Sequence, residues 1–442
     1  MQMAAIPKRL STALLASLSA GVVPRVGLEY VAVGRAAEVG ALLTDLENVG
    51  EGGAAFRFVV GRYGSGKSFL LQLLRNYAMD RNYVVADVDL SPERRLVGSR
   101  GEGLDTFREL ARNLSTRTRP DGGALVAVLE RWIAGIQAQV LAETGMRPTD
   151  LAVTDAVEAR IFQVASAMEE LVYGFDFATV LSAYWRGHRL GNDDLKDAAL
   201  SWLRGEFTTK TDARAALGVR TYIDDDSWYE HVKLLASFVS AVGYKGLIVF
   251  IDEAVNLYKI THSASRLANY EKLLAMFNDT MQSKATRLGI VVGGTPQFVE
   301  DSRRGLYSYE ALRSRLADSR FTRDGLVDMA GPVLRLQVLS HEEIFLLLTR
   351  LRDIHAAHYG YVATLGSAEL QQFMQEVVNR MGAEELLTPR EVVRDFITLL
   401  NLLQQNPDTS FEKIIYGGNF TPTRAGEDPD AENNGEFAEF TL

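Results

Sequence analysis

A chain of 442 residues exceeds one hydrophobic core of ordinary size and divides into two or three units at about 150 residues per domain. Its 47% hydrophobic and 24% charged residues exclude general disorder, and a net charge of −10 excludes a surface coated in basic side chains for sequence-blind nucleic-acid binding, a local basic patch aside. The absence of cysteine excludes a disulfide scaffold, a thiol nucleophile and a thiolate zinc site, and fits a reducing compartment.

Residues 10–20 are apolar but interrupted by Ser11, Thr12, Ser17 and Ser19, behind Lys8 and Arg9. So short and serine-broken a run reads as an amphipathic helix rather than a secretory signal. No stretch reads as the roughly 18 apolar residues of a membrane span, so a cytoplasmic location is expected. Residues 56–60 form an apolar β-type run that leads into Gly61-Arg62-Tyr63-Gly64-Ser65-Gly66-Lys67-Ser68, and helical spacing follows from Phe69 to Tyr77. A second strand at 83–90 completes a βαβ unit, which a parallel sheet requires. Further strands are expected at 247–251, ending in Asp252-Glu253, at 288–293, ending in Gly294-Thr295-Pro296, and at 333–339. Helical stretches at 265–283 and 310–318 alternate with them, the pattern of a three-layer α/β sandwich.

Between the second and third strands, apolar residues recur at three and four with no strand among them, which predicts a large helical insertion. Turn-type clusters at 119–123, 145–149 and 187–194 divide it. Ser340-His341-Glu342-Glu343 has the form of a capping box, and helical spacing continues to about 404. His355 and His358 lie three apart within it, a spacing that reads as core-edge or solvated rather than metal-binding. Beyond Asn406, Gly, Pro, Asn and acid dominate, and residues 423–442 hold six acids against Arg424 alone, too little apolar surface to fold unaided. This tail ends in Phe437-Ala438-Glu439-Phe440-Thr441-Leu442 and is either frayed or a peptide that docks on a partner or on the protein's own basic face. The expected organisation is therefore an N-terminal segment (1–30), a core in two parts (31–103 and 243–339) around the helical insertion (104–242), a smaller helical domain (340–405) and an acidic flexible tail (406–442).

The segment 61–68 satisfies G-x-x-x-x-G-K-[ST] between a strand and a helix. In that pattern glycines let successive N–H groups face phosphate oxygens, and the helix adds its positive dipole end. Gly61, Tyr63, Gly64, Ser65, Gly66, Lys67, Ser68 and Phe69 are thus candidate ATP contacts, Lys67 reaching the β- and γ-phosphates and Ser68 a magnesium ion. At the end of the third strand, Asp252 would hold that magnesium through its water shell and Glu253 would orient and deprotonate the attacking water. The pair favours ATP hydrolysis over transfer to another acceptor; alternatively, both acids cap a helix starting at Ala254. Thr295 either touches the γ-phosphate or is a turn residue before Pro296. Among Arg303, Arg304, Arg313 and Arg315, the last two sit on a helix flank where one could act across a subunit boundary as an arginine finger, or else both are solvated. Arg390 follows an N-cap Thr388 and a first-turn Pro389, where it opposes the helix dipole at a cost of a few tenths of a kcal/mol unless it reaches an anion. Arg394 follows one turn later.

With these residues in place the chain resembles the AAA+ class of P-loop ATPases: 61–68 as Walker A, 247–253 as Walker B, Thr295 as sensor 1, where Asn is commoner, and Arg390 as sensor 2. Val33-Gly34-Arg35 with Glu38 resembles the box that precedes Walker A in origin-recognition and signalling ATPases, which implies that Gly34 and Arg35 lie near the adenine. A narrower likeness rests on Ala20-Gly21-Val22-Val23-Pro24-Arg25, Gly27-Leu28, Val33-Gly34-Arg35 and residues 58–69, which are similar to the ATP-binding proteins of BREX-type bacterial phage-defence islands, the BrxD-like group. The resemblance implies a P-loop NTPase fold, with 340–405 as a helical lid or winged-helix-like domain. It also implies an ATPase that uses ATP and Mg2+, works as a homo-oligomer with other defence proteins, has DNA as a further candidate partner and involves no membrane. The alternatives are a nucleotide-binding switch or scaffold that does not hydrolyse, and a DNA loader or remodeller outside defence.

Overall fold

The computed structural model describes residues 6–147, 150–166, 171–317, 328–381 and 388–417. Among these residues five strands make one sheet: β1 (Ala54–Val60), β2 (Val84–Asp89), β3 (Leu247–Asp252), β4 (Leu288–Gly294) and β5 (Val333–Arg335), in the order β2-β3-β4-β1-β5. β2 with β3, β3 with β4 and β4 with β1 are parallel pairs. The runs Leu247 to Ile251 and Leu288 to Val292 are buried throughout, the continuous apolar pattern of strands covered on both faces. The protein is thus α/β, as its strand and helix alternation implies. β5 stops at Arg335, short of the 339 expected, and one carbonyl beyond it, that of Gln337, accepts from the Arg35 guanidinium instead of from a strand.

The described residues form two compact units, one from residues up to 39, 61–73 and those after 334, the other from 40–60 and 74–334. In the second unit, helices Glu102–Arg112, Leu125–Thr144, Leu151–Ser166, Gly174–Leu190, Asp193–Leu203, Lys210–Leu217 and Trp228–Ala241 separate β2 from β3. Their apolar faces join the sheet in one buried cluster that holds Trp132, Phe177, Trp202 and Phe238 together with Val84, Val249 and Ile251. Leu125–Thr144 is long and apolar enough to cross a membrane, against the expectation that no segment is. Its buried residues, Leu125, Val128, Leu129, Trp132, Ile133, Ile136 and Val140, belong to that cluster, and Trp132 meets Phe238 edge-on at 5.3 Å, which makes it a core helix of this fold. Arg75, only 4% exposed, ties helix Lys67–Asp80 to β2 by donating to Asp87 at 2.8 Å and to Ser115 Oγ and the Pro120 carbonyl.

The other unit packs helix Lys8–Ser19 with helices His341–Tyr359, Ser367–Met381 and Pro389–Gln405. Leu14, Leu15 and Val31 share its core with Leu348, Leu351, Phe373 and Phe396. The capping box of Ser340 and Glu343 is closed in both directions. The two histidines spaced three apart have structural partners: buried His355 donates from Nε2 to Asn401 and bonds Tyr361 through Nδ1, and His358 Nδ1 meets Ser11 Oγ at 2.8 Å. The serine that interrupts the first apolar run therefore faces a specific partner. Residues 418–442, which include most of the acidic tail, lie outside the described residues.

His231 is 1% exposed, stacked on Tyr173 at 5.1 Å and set edge-on to Trp202, with Nδ1 donating to the Ser227 carbonyl. Burial pushes its pKa down to about 4, against partial relief from Ser227, Asp224 and Asp176. The folded state then binds fewer protons than the unfolded chain between pH about 6.5 and about 4, so stability is full above that window and is lost as pH falls through it, by up to about 3 kcal/mol. Urea midpoints at pH 7 and pH 4.5 should show His231→Phe losing less stability on acidification than the parent; equal losses would contradict this.

Candidate functional site

The glycine loop begins at the residue after β1 and ends where helix Lys67–Asp80 starts. Gly64 (φ 76°) and Gly66 (φ 86°) occupy the left-handed region, which costs a residue with a Cβ about 1–2 kcal/mol. Around them the Ser65 N–H closes a turn on the Arg62 carbonyl, and the Leu70 N–H donates to the Gly66 carbonyl as the helix begins. Lys67 Nζ donates back to the carbonyls of Gly61 and Arg62 at 3.0 and 3.1 Å. A Cβ built on Gly66 would meet nothing within 4 Å, whereas one on Gly61 would overlap Ser65 and one on Gly64 would overlap Thr388. The loop is therefore open over Gly66 and closely packed behind. Backbone N–H groups at a helix start, the Lys67 ammonium and the Ser68 hydroxyl are the donor set that suits a phosphate chain, and Ser65 Oγ is buried without a hydrogen-bond partner.

Two further segments of the same unit reach this loop. Arg35, 7% exposed, donates from Nη1 to Glu38 at 3.2 Å and from Nη2 to the carbonyls of Ser65 at 2.8 Å and Gln337 at 2.6 Å. Gly34 (φ 66°) leaves no room for a side chain, because a Cβ there would overlap the Glu343 carboxylate that closes the capping box. From the other side comes helix Pro389–Gln405, whose Arg390 donates to the Tyr63 hydroxyl at 3.0 Å and sits 5.7 Å from its ring; Tyr63 is 62% exposed. Gly21 lies against the side chains of Arg390 and Arg394, which brings the Gly-Val-Val-Pro-Arg segment to the same helix start. Thr388 is the N-cap and Pro389 follows, but no side-chain capping bond forms. Thr388 Oγ1 and Glu391 Oε2 are both buried without partners, and burial raises the Glu391 carboxyl above its ordinary pKa.

The acids belong to the other unit. β3 ends at Asp252, whose carboxylate accepts from the Glu253 N–H at 2.8 Å, and Glu253 takes φ 55°, left-handed for a residue that is not glycine. Such backbone is held by its surroundings, here by Ala254 N–H on the Gly293 carbonyl and Asn256 N–H on the Glu253 carbonyl. Asp89, which sequence reasoning passed over, is paired in register with Asp252 from β2. Burial of its carboxyl, then the charges of Asp252, Glu253 and Asp87, push it up to about 6 although the residue keeps solvent access. Its signal was readable as a carboxylate at the carboxyl end of a predicted strand. Among the described residues no three acids or histidines converge as a preformed metal cluster, and the carboxylates set side by side at the strand ends are Asp89 and Asp252.

Thr295 follows β4, and its hydroxyl accepts from Phe298 N–H as the N-cap of helix Pro296–Glu300. Arg313 and Arg315 lie on helix Glu310–Leu316. Arg313 is 3.9 Å from Glu310, while Arg315 is engaged with Asn278 at 3.1 Å and with the Ala311 carbonyl. Arg304 packs its guanidinium over Tyr258 at 5.3 Å. The candidate residues thus fall into two sets: Gly34, Arg35, residues 61–69 and Arg390 in one unit, and Asp252, Glu253, Thr295, Arg313 and Arg315 in the other.

A family model described as BREX system ATP-binding protein BrxC/D matches residues 6–419, nearly the whole chain. The chain belongs to that family. Comparison with curated proteins finds no match.

The close approach of Thr388 to Gly64 has a measurable consequence. Gly64→Ala should lower stability by about 2–4 kcal/mol, from left-handed strain and overpacking together. Adding Thr388→Gly should return the overpacking part in urea unfolding, and an unchanged midpoint for Gly64→Ala would contradict the packing.

Proposed function

We propose that this member of the BREX ATP-binding family is a magnesium-dependent ATPase of the AAA+ type that couples ATP binding and hydrolysis to conformational change in a phage-defence assembly. The observation that carries the reading is the strand order. β4 lies between β1 and β3, all three run parallel, and Val60 is in register with Gly294 while Ile251 is in register with Val292. The carboxyl ends of β1 and β3 therefore share one sheet edge, where α/β sheets place ligands. The chain enters the glycine loop directly after Val60, and Asp252 and Glu253 stand at the carboxyl end of β3.

In this reading the N–H groups of residues 63–69 and the Lys67 ammonium hold the phosphates, and Lys67 exchanges its bonds to the Gly61 and Arg62 carbonyls for phosphate oxygens. Ser68 and Asp252 are the residues to hold magnesium, which when bound supplies charge neutralisation on the phosphates. Glu253 takes a proton from the attacking water, and its left-handed backbone aims the carboxylate away from the strand direction. Arg390 leaves Tyr63 for the terminal phosphate and so reports its presence to helix Pro389–Gln405, the start of a lid within residues 340–405. Thr295 and one of Arg313 or Arg315 are candidates for γ-phosphate contact and for a finger acting in trans within a homo-oligomer; Arg313, whose exposed ion pair with Glu310 is 3.9 Å long, is the better placed to leave its own chain. Other defence proteins are the proposed partners, and DNA is a further one.

Glu253 argues against a switch that binds ATP without turnover. Glu253→Gln should lower kcat about 100-fold or more, the usual weight of a general base, with ATP affinity retained. Hydrolysis at the parental rate would remove the assigned base and favour the non-hydrolysing reading.

A further inference from the structure

The residues that precede the glycine loop carry an inference of their own, one that rests on the nucleotide reading above. The resemblance implies that Arg35 lies beside the base. Its observed bonds are of another kind: the guanidinium donates to three protein oxygens, one on Glu38 and two that are main-chain carbonyls, Ser65 within the loop and Gln337 after β5. We propose that Arg35 is a positioning residue that clamps the back of the phosphate loop, and that its contribution to nucleotide binding is made through the triphosphate cradle rather than through the base.

A loop that turns its N–H groups toward a phosphate chain turns carbonyls the other way, and each buried carbonyl needs a donor. In this loop the carbonyls of Gly61 and Arg62 accept from Lys67 Nζ, the very group that phosphate would draw off. The carbonyl of Ser65 accepts from Arg35 Nη2 at 2.8 Å, a donor with no part in phosphate contact. Arg35 therefore holds the loop whether or not Lys67 is engaged. Guanidinium suits the task, since its planar fork bonds several oxygens at once and stays charged at every working pH. Glu38, at 3.2 Å from Nη1, balances the charge and is itself buried. Because the same Nη2 also bonds the Gln337 carbonyl at 2.6 Å, the clamp joins the loop to the chain just ahead of helix His341–Tyr359. Gly34 fits beside it only as glycine, with Glu343 of that helix occupying the space of a side chain.

The test separates a clamp from a base contact by using a ligand without a base. Isothermal calorimetry would measure ATP and inorganic tripolyphosphate on the full-length parent, Lys67→Ala, Arg35→Met and Arg35→Lys, with the double variant Arg35→Met/Glu38→Met in case the single change leaves a buried carboxylate that prevents folding. Loss of charge-assisted bonds to the loop should weaken ATP and tripolyphosphate by the same factor, about 10-fold or more, with partial rescue in Arg35→Lys. Tripolyphosphate affinity that stays at the parental value while ATP weakens would overturn the proposal in favour of a base contact, and so would an Arg35→Met variant that binds both as the parent does. A parent that takes up neither ligand, or takes them up equally well as Lys67→Ala, would instead overturn the nucleotide reading of the loop and the clamp with it.

Discussion

A phosphate loop depends on a single constraint: its N–H groups can face outward only if its carbonyls are satisfied on the opposite side. Here two left-handed glycines set the outward direction, and the carbonyls of Gly61, Arg62 and Ser65 are met by Lys67 and Arg35. The requirement explains several residues at once. Gly61 and Gly64 are bare because Ser65 and Thr388 occupy the space behind them; Arg35 is buried among the Glu38 carboxylate and the carbonyls of Ser65 and Gln337; and Gln337, two residues past the end of β5, turns its carbonyl to that guanidinium.

The sheet edge has the complementary character. Asp89, Asp252 and Glu253 crowd negative charge at the ends of two neighbouring strands, and Glu253 adds left-handed backbone to that electrostatic cost. A protein selected only for stability would relieve both. Their presence together sets crowded charge and constrained backbone at one end of the sheet, a combination that concentrates at functional sites.

Much of this was legible from residues alone, and the reasons for the rest are physical. The continuous apolar runs of β3 and β4 and the 61–68 pattern are local signals, and each element formed where its signal lay. The Ser340 and Glu343 box was likewise readable and is closed. Thr388 and Glu391 fit the same Ser/Thr-x-x-Glu pattern, yet that box stays open, where Thr388 packs against Gly64, more than three hundred positions away in the chain. Asp89 became notable only once β2 paired with β3 and set it beside Asp252. The Arg35 bonds could not be foreseen either, because their acceptors are carbonyls, which every residue carries. Leu125–Thr144 shows the reverse case, a segment whose composition alone fits a membrane span and whose apolar face is taken up by Phe238 and its neighbours.

The claim on which the functional account turns is that the loop around Lys67 and the acids at the end of β3 serve one triphosphate and its metal. A crystal structure of the protein with magnesium and a non-hydrolysable ATP analogue tests it most directly. The account requires the triphosphate along the N–H groups of the loop and the metal held between Ser68 and Asp252, with Glu253 facing the terminal phosphate. Nucleotide bound elsewhere, or bound at the loop with Asp252 remote from its metal, would contradict it.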